Sequence, residues 1–258
     1  MMTTKVFQRV LATFLVVAAI FLMNGVAQAD PYQEIQKYTA QINQNPNDAI
    51  AYNNRGIAYA DLGQYERAIQ DYSTAIRLNS NLADCYYNRG NSYRKLGQYE
   101  RAIQDYSTAI RLNPNDADYY NNRGNVYENL GQYYQAIQDH SIAIQLNPND
   151  ADYYNNRGIA YKNLGQYERA IQDYSTAIRL NPNDADYYYN RGIAYADLGQ
   201  YELAIQNYSK AIRLNPLYAA AYKNRSNAYK AIGNISAANA DLDKYNEIIF
   251  TGITITSK

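Results

Sequence analysis

A block of 34 residues recurs six times in register between Ala49 and Gly252, and that period leaves the chain few architectures to choose from. One copy opens as Ala117-Asp118-Tyr119-Tyr120-Asn121-Asn122-Arg123-Gly124 and closes at Leu146-Asn147-Pro148-Asn149-Asp150. The next copy, from Ala151, repeats it almost letter for letter. A unit of this length is one supersecondary element that buries its apolar face only against its neighbours, so copies stack into a solenoid. Stacking of this kind offers a long surface rather than an enclosed pocket. It points to binding before catalysis.

Each copy carries two helical patterns. In the first, Tyr52, Gly56, Tyr59 and Leu62 fall on one stripe (helix A), and Tyr65, Ala68, Ile69, Tyr72, Ala75 and Ile76 on another (helix B). Gly63 supplies the tight turn between them. At Asn113–Asp116, Pro114 stops the preceding helix, and Asn115 or Asp116 is placed to cap the next.

These residues carry a specific resemblance. Tyr52-x2-Arg55-Gly56-x2-Tyr59, then Ala68-x3-Tyr72, then Pro114, Pro148, Pro182 and Pro216, are similar to the tetratricopeptide repeat. The resemblance implies an all-α fold: a right-handed superhelical α-solenoid of six helix-turn-helix repeats, at 49–82, 83–116, 117–150, 151–184, 185–218 and 219–252. A leading capping helix, Tyr32 to Gln44, is expected within 30–48, started by Asp30-Pro31. The last helix is expected near Ile235–Ile249, with 253–258 as a tail.

Two departures from the family pattern stand out. Tyrosine replaces tryptophan, and arginine (Arg55, Arg89, Arg123, Arg157, Arg191, Arg225) replaces the leucine before the small residue. An inward arginine needs a partner, and helix B offers Asp71, Asp105, Asp139, Asp173, Asn207 and Asp241 in register. An arginine–aspartate bridge between helices is expected in most copies, with a neutral hydrogen bond at Asn207. The alternative is two solvated columns.

The N-terminus has its own signature. Lys5 and Arg9 precede an apolar run from Val10 to Met23, and Ala27-Gln28-Ala29 stands before Asp30. Such a segment reads as a signal peptide cleaved after Ala29. A retained anchor is the alternative, but the run falls short of the roughly 20 residues a spanning helix needs. The mature chain is therefore expected to be secreted or periplasmic and not membrane-spanning.

The chain has 24 basic and 24 acidic residues, and loss of Lys5 and Arg9 leaves the remainder slightly acidic. That balance offers no general attraction to nucleic acid. Cys85 stands alone, in a mostly apolar column, and reads as a packing residue, with an intermolecular disulfide as the alternative. His140 replaces a tyrosine of helix B. One histidine and one cysteine make no metal set and no nucleophile–base pair, so neither a cofactor nor an enzymatic activity is expected.

The resemblance implies a binding face lined by helix A. One column there is asparagine in every copy: Asn54, Asn88, Asn122, Asn156, Asn190 and Asn224. An amide side chain matches the peptide group in donors and acceptors. Helices about 8–10 Å apart correspond to about three residues of extended chain. The column thus fits an extended polypeptide, as in superhelical members of the family that grip peptides through asparagine ladders. Duplication of a single unit would also make the column uniform.

The flanking column holds Tyr87, Asn121, Asn155 and Tyr189, and further along stand Ala60, Arg94, Glu128, Lys162, Ala196 and Lys230. Tyr87 and Tyr189 are candidates for stacking on a proline, an aromatic side chain or a sugar. A glycan ligand is accordingly the rival reading, and self-association through the C-terminal edge a third. The lysine clamp that some relatives use for a terminal carboxylate is missing here.

Overall fold

The computed structural model describes residues 30–256, so the leader at 1–29 lies outside the described residues. Chain contacts divide at Ser80 into two units. The first contains α1 (Pro31–Gln44), α2 (Ala49–Asp61) and α3 (Tyr65–Leu78). The second contains α4 (Ala83–Lys95), α5 (Tyr99–Leu112), α6 (Ala117–Asn129), α7 (Tyr133–Leu146), α8 (Ala151–Asn163) and α9 (Tyr167–Leu180). It continues through α10 (Ala185–Asp197), α11 (Tyr201–Leu214), α12 (Ala219–Ala231) and α13 (Ile235–Thr256). No strand occurs among the described residues.

The turns follow from residue type. Asp116, Asp150 and Asp184 cap α6, α8 and α10 by accepting from the backbone N–H two residues on, which satisfies an otherwise orphaned donor. Gly63 ends α2 at φ +71°, the left-handed conformation that favours glycine, and Gln64 N–H closes the turn onto Tyr59 O at 2.9 Å. The Asn-Pro stops of the internal copies have no counterpart after α13. That helix runs on through Thr256, past the Ile249 end expected from sequence and into the residues expected to form a tail.

Helix B buries an alanine–tyrosine stripe, as in Ala170, Tyr174 and Ala177 of α9. The alanines let helices approach, and the tyrosine ring lies flat on a glycine of helix A. At Gly56 an added Cβ would stand 2.6 Å from Tyr72 Cε1. Where Ser226 replaces this glycine, Leu242 replaces the tyrosine and the serine hydroxyl donates to Ala238 O at 2.7 Å. Cys85 is buried and unpaired in the A-helix core, where burial pushes its thiol up to about 11.

In the second unit each helix packs on the next, and α4, α6, α8, α10 and α12 also touch in succession. The arginine column welds this stack. Arg123 of α6 grips Asp139 of α7 through two parallel bonds of 2.8 Å, and its remaining Nη1 reaches Ser107 Oγ of α5 at 2.9 Å. Arg157 joins α8, α9 and α7 in the same way, and Arg225 joins α12, α13 and α11. In the first unit Arg55 holds Asp71 and Thr39, and Thr39 stands on α1 in the position that serine takes on later helices. The expected bridge is present: the aspartates are nearly buried and the arginines mostly so.

Arg191 is the exception, with a single 2.9 Å bond to Asn207 Oδ1. Burial depresses its guanidinium pKa; at Arg123 burial acts the same way but the Asp139 bonds overcome it. Asn207→Asp should therefore raise stability by about 1–3 kcal/mol, the worth of a charge-assisted hydrogen bond. Asp173→Ala should cost about 3–5 kcal/mol, because Arg157 is left buried without its counter-charge. Urea denaturation midpoints measure both, and a destabilised Asn207→Asp protein would refute the account of this node.

Candidate functional site: an asparagine ladder on the A helices

The candidate asparagines of the second unit are wired from helix to helix. Asn122 Nδ2 donates to Tyr87 Oη at 2.7 Å, Asn156 to Asn121 Oδ1 at 3.1 Å, Asn190 to Asn155 Oδ1 at 2.9 Å, and Asn224 to Tyr189 Oη at 3.1 Å. Asn88 is half-buried at the head of this column, and Asn54 occupies the same register in the first unit, accepting from Asn53 at 3.3 Å. The two columns named from sequence are thus bonded to each other across successive A helices of the second unit. Asn122, Asn156, Asn190 and Asn224 each spend one amide proton on this bond and stand on a half-buried helix face.

The flanking residues differ from expectation in one respect. Tyr87 packs on the rings of Tyr119 and Tyr106, with centroids 4.8 and 5.9 Å away, and Tyr189 on Tyr218 and Tyr208 at the same distances. Rings so engaged, with hydroxyls bound to the ladder, are supports first and stacking platforms for a sugar second. Asn155 is buried, and Asn121 also accepts from His140 Nδ1 at 3.0 Å.

A second ladder runs beside the first. Tyr119, Tyr153, Tyr187 and Tyr218 donate their hydroxyls to Asp84, Asp118, Asp152 and Asp186 of the preceding A helix. Tyr119, Tyr153 and Tyr187 belong to the mostly apolar column of Cys85, which gave no sign of carboxylate partners. The available signal was a spacing of 35 residues, one more than the repeat, in the first three pairs; the pair of Tyr218 and Asp186 is 32 apart.

Among the described residues three buried polar atoms have no hydrogen-bond partner: Arg94 Nε, His140 Nε2 and Tyr174 Oη, in three successive copies. His140 takes the place of a tyrosine beneath Gly124, and desolvation, aided by Arg157, lowers its pKa to about 3. Glu128 has the opposite problem: desolvation raises its pKa to about 7, with Lys162 pulling it partly back. Among the described residues no three His, Cys, Asp or Glu side chains form a metal set, and no helix is long and apolar enough to cross a membrane.

Stacked helix hairpins tied by a side-chain ladder define a helical-repeat protein. Family models described as TPR repeat match residues 58–96, 90–131 and 161–199, and tetratricopeptide repeat models match 117–150, 185–218, 38–70 and 143–172. Among solved structures, YrrB, a TPR protein with an unusual peptide-binding site, is 30% identical with a TM-score of 0.61, over 71% of this chain and 95% of its own. MamA is 28% identical with a TM-score of 0.59, over 64% of this chain and 91% of its own. A tetratricopeptide repeat protein from Parabacteroides merdae shares the fold at 22% identity and a TM-score of 0.68, over 86% and 88%. No curated protein matches the chain significantly. The chain belongs to the tetratricopeptide repeat family, and its fold and relatives support a role in protein–protein interaction.

Glu128 and His140 give stability opposite pH dependences. Glu128 binds its proton more tightly folded than unfolded, so its contribution is complete below about 4.5 and lost as pH rises to about 7. His140 resists protonation when folded, so its contribution is complete above about 6.5 and lost as pH falls toward 3. The two oppose each other between 4.5 and 6.5. Glu128→Gln should make stability rise with pH in that window, by at most about 1.4 kcal/mol per unit. His140→Tyr should make it fall, the new hydroxyl facing Asn125 as Tyr106 faces Asn91 at 2.7 Å. Urea titrations at pH 4.5, 5.5 and 6.5 read both slopes; parallel profiles for the three proteins would contradict the assignment.

Proposed function

We propose that the protein is a non-catalytic interaction scaffold whose asparagine ladder holds an extended segment of a partner polypeptide. The carrying observation is the regular succession of Asn122, Asn156, Asn190 and Asn224, one per A helix, each bonded sideways through one amide proton. The sideways bond fixes the amide's orientation before any ligand arrives, which lowers the entropy lost on binding. The remaining donor and acceptor match a backbone peptide group, and the helix spacing of about 8–10 Å meets one such group in about every three residues. Backbone recognition of this kind leaves sequence choice to the neighbouring variable columns. The resemblance to YrrB, described as having a peptide-binding site, favours a peptide as the partner class.

The scaffold acts outside the cytoplasm in this reading, which rests on the Lys5–Ala29 leader. A self-assembly role at the C-terminal end is the second reading, favoured by Ile235, Ile249 and Phe250, which are exposed there at 55, 41 and 70%. Light scattering over a concentration series distinguishes it, since a mass independent of concentration excludes assembly.

Two measurements test the main reading. A display library of unstructured nonapeptides should yield binders of roughly micromolar affinity. Asn122→Ala with Asn156→Ala and Asn190→Ala should weaken these at least tenfold while the circular dichroism spectrum stays helical. Equal retention by both proteins would remove the ladder from the binding surface. N-terminal sequencing of the protein from its native host should begin at Asp30; a chain still starting at residue 1 would remove the export reading.

A further inference from the structure

The inner column at residues 94, 128, 162, 196 and 230 holds arginine, glutamate, lysine, alanine and lysine. Arg94 shows what a long side chain does there. Arg94 has its Nε buried, and its guanidinium stands beside the phenol of Tyr106, where it opposes the upward pull of burial on the tyrosine pKa. At Ala196 there is no such side chain. Ala228 and Ala231 of α12, opposite, are also small, and a notch of about 330 Å³ opens between α10 and α12.

The notch is polar where a ligand would need it. Tyr208 lines it, itself only 1% exposed. Its counterpart Tyr106 donates to Asn91, but in this copy Ile193 occupies the asparagine position and offers no acceptor. The Tyr208 hydroxyl thus has no hydrogen-bond partner among the described residues. Asp197 also lines the notch, exposed and without an ion pair among the described residues. Lys230 is exposed and does not line it. Asn224, the last amide of the ladder, forms part of the wall, so a chain lying on the ladder passes the mouth.

We propose that this notch is the specificity site of the groove and takes the guanidinium of an arginine from the bound polypeptide. The proposal rests on the peptide-groove reading. Arg94 is the internal template: the same chain places a guanidinium against the equivalent tyrosine when the column residue is arginine. A visiting arginine gains the Asp197 counter-charge, gives an N–H to the Tyr208 hydroxyl and lays its planar head near an aromatic ring. Arg169 over Tyr161, at 4.1 Å from the ring centroid, shows the same stacking elsewhere in this protein. An apolar visitor would leave Tyr208 and Asp197 desolvated without partners, and an acidic one would face Asp197 directly. Lysine keeps the charge but loses the fork and ranks second.

Nonapeptides with arginine, lysine, leucine or glutamate fixed at the centre of otherwise Ala/Gly/Ser sequences provide the first test. Arginine-centred peptides should bind at least tenfold tighter than leucine-centred ones. Ala196→Arg, which refills the notch from within, should bring that ratio below about twofold without weakening the leucine-centred peptides. Asp197→Asn, a surface change that spares the fold, should lower the ratio about threefold or more. An arginine preference that survives both substitutions overturns the proposal.

N-acetyl-arginine methylamide, titrated alone and followed by NMR, provides the second. The backbone amides of Asn227, Ala228 and Ala231 should shift in the wild type and stay still in Ala196→Arg. Peptides that bind with no arginine preference and no such shifts would sink the notch and leave the groove standing. Shifts from the arginine amide with no peptide bound at all would keep the notch and sink the groove.

Discussion

The arginine that precedes the small residue of helix A organises this protein more than any apolar contact does. A guanidinium has five donors in a rigid fork, and Arg55, Arg123, Arg157 and Arg225 each divide them between two helices besides their own: a two-point grip on an aspartate and a single bond to a hydroxyl. An apolar residue at that position would bury area without fixing direction. The fork accepts only one rotation and one offset of helix B, so it sets the register of the stack. The tyrosines at i−3 and i+4 follow from it. Their rings lie 5.9 Å from the Arg123 carbon on both sides, shielding the ion pair from water. Much of the unusual tyrosine content is therefore a consequence of the arginine. A buried pair of this kind adds modest net stability but makes the wrong arrangement expensive.

Three polar systems share the A helices, and their division of labour matters for function. The arginine nodes join helices within and between hairpins. The tyrosine–aspartate bonds join consecutive A helices near their N-termini. The asparagine ladder joins the same helices one turn further along, on the face proposed to bind a polypeptide. Since the first two systems already hold the stack, the ladder amides carry less of its stability and are available to a ligand. An asparagine column is thus compatible with both a structural origin and a binding use. Its sideways bond serves each: it knits neighbours, and it holds the amide still.

Much of this was legible in the sequence, for physical reasons. Helix periodicity, the Asn-Pro-Asn-Asp stops and Gly63 specify local structure directly, and the elements fall where those signals put them. The arginine–aspartate pairing was legible because a charge at a buried position demands a counter-charge, and only one column in register supplied it. What was hidden depends on distances that a repeat register does not encode. The packing of Tyr87 on Tyr119 and the Asp84 and Asp118 partners arise where one copy meets the next, while Tyr87 meets Tyr106 and Tyr189 meets Tyr208 between the two helices of a single copy. The run of α13 through Thr256 was hidden for another reason: a missing stop signal is weaker evidence than a present one.

Near-identity of the copies gives the exceptions their meaning. A column filled by one residue type reports what every copy needs, which is packing and register. A column that changes is free of that need, and where it changes on the ladder side it alters the surface a ligand meets. Ala196 is the clearest instance in the second unit, because the other A helices there carry Arg94, Glu128, Lys162 or Lys230 in this column, and the small side chain leaves a hollow lined by Tyr208, whose hydroxyl finds no acceptor at Ile193 where that of Tyr106 finds Asn91. His140 and Glu128 are exceptions of another kind, each placing a titratable group where its charged form is disfavoured. They lie in adjoining columns of the same copy and oppose each other across mildly acidic pH. Their opposed titrations favour a level stability in that range, and His140 Nε2 is left in that copy's core without a partner among the described residues.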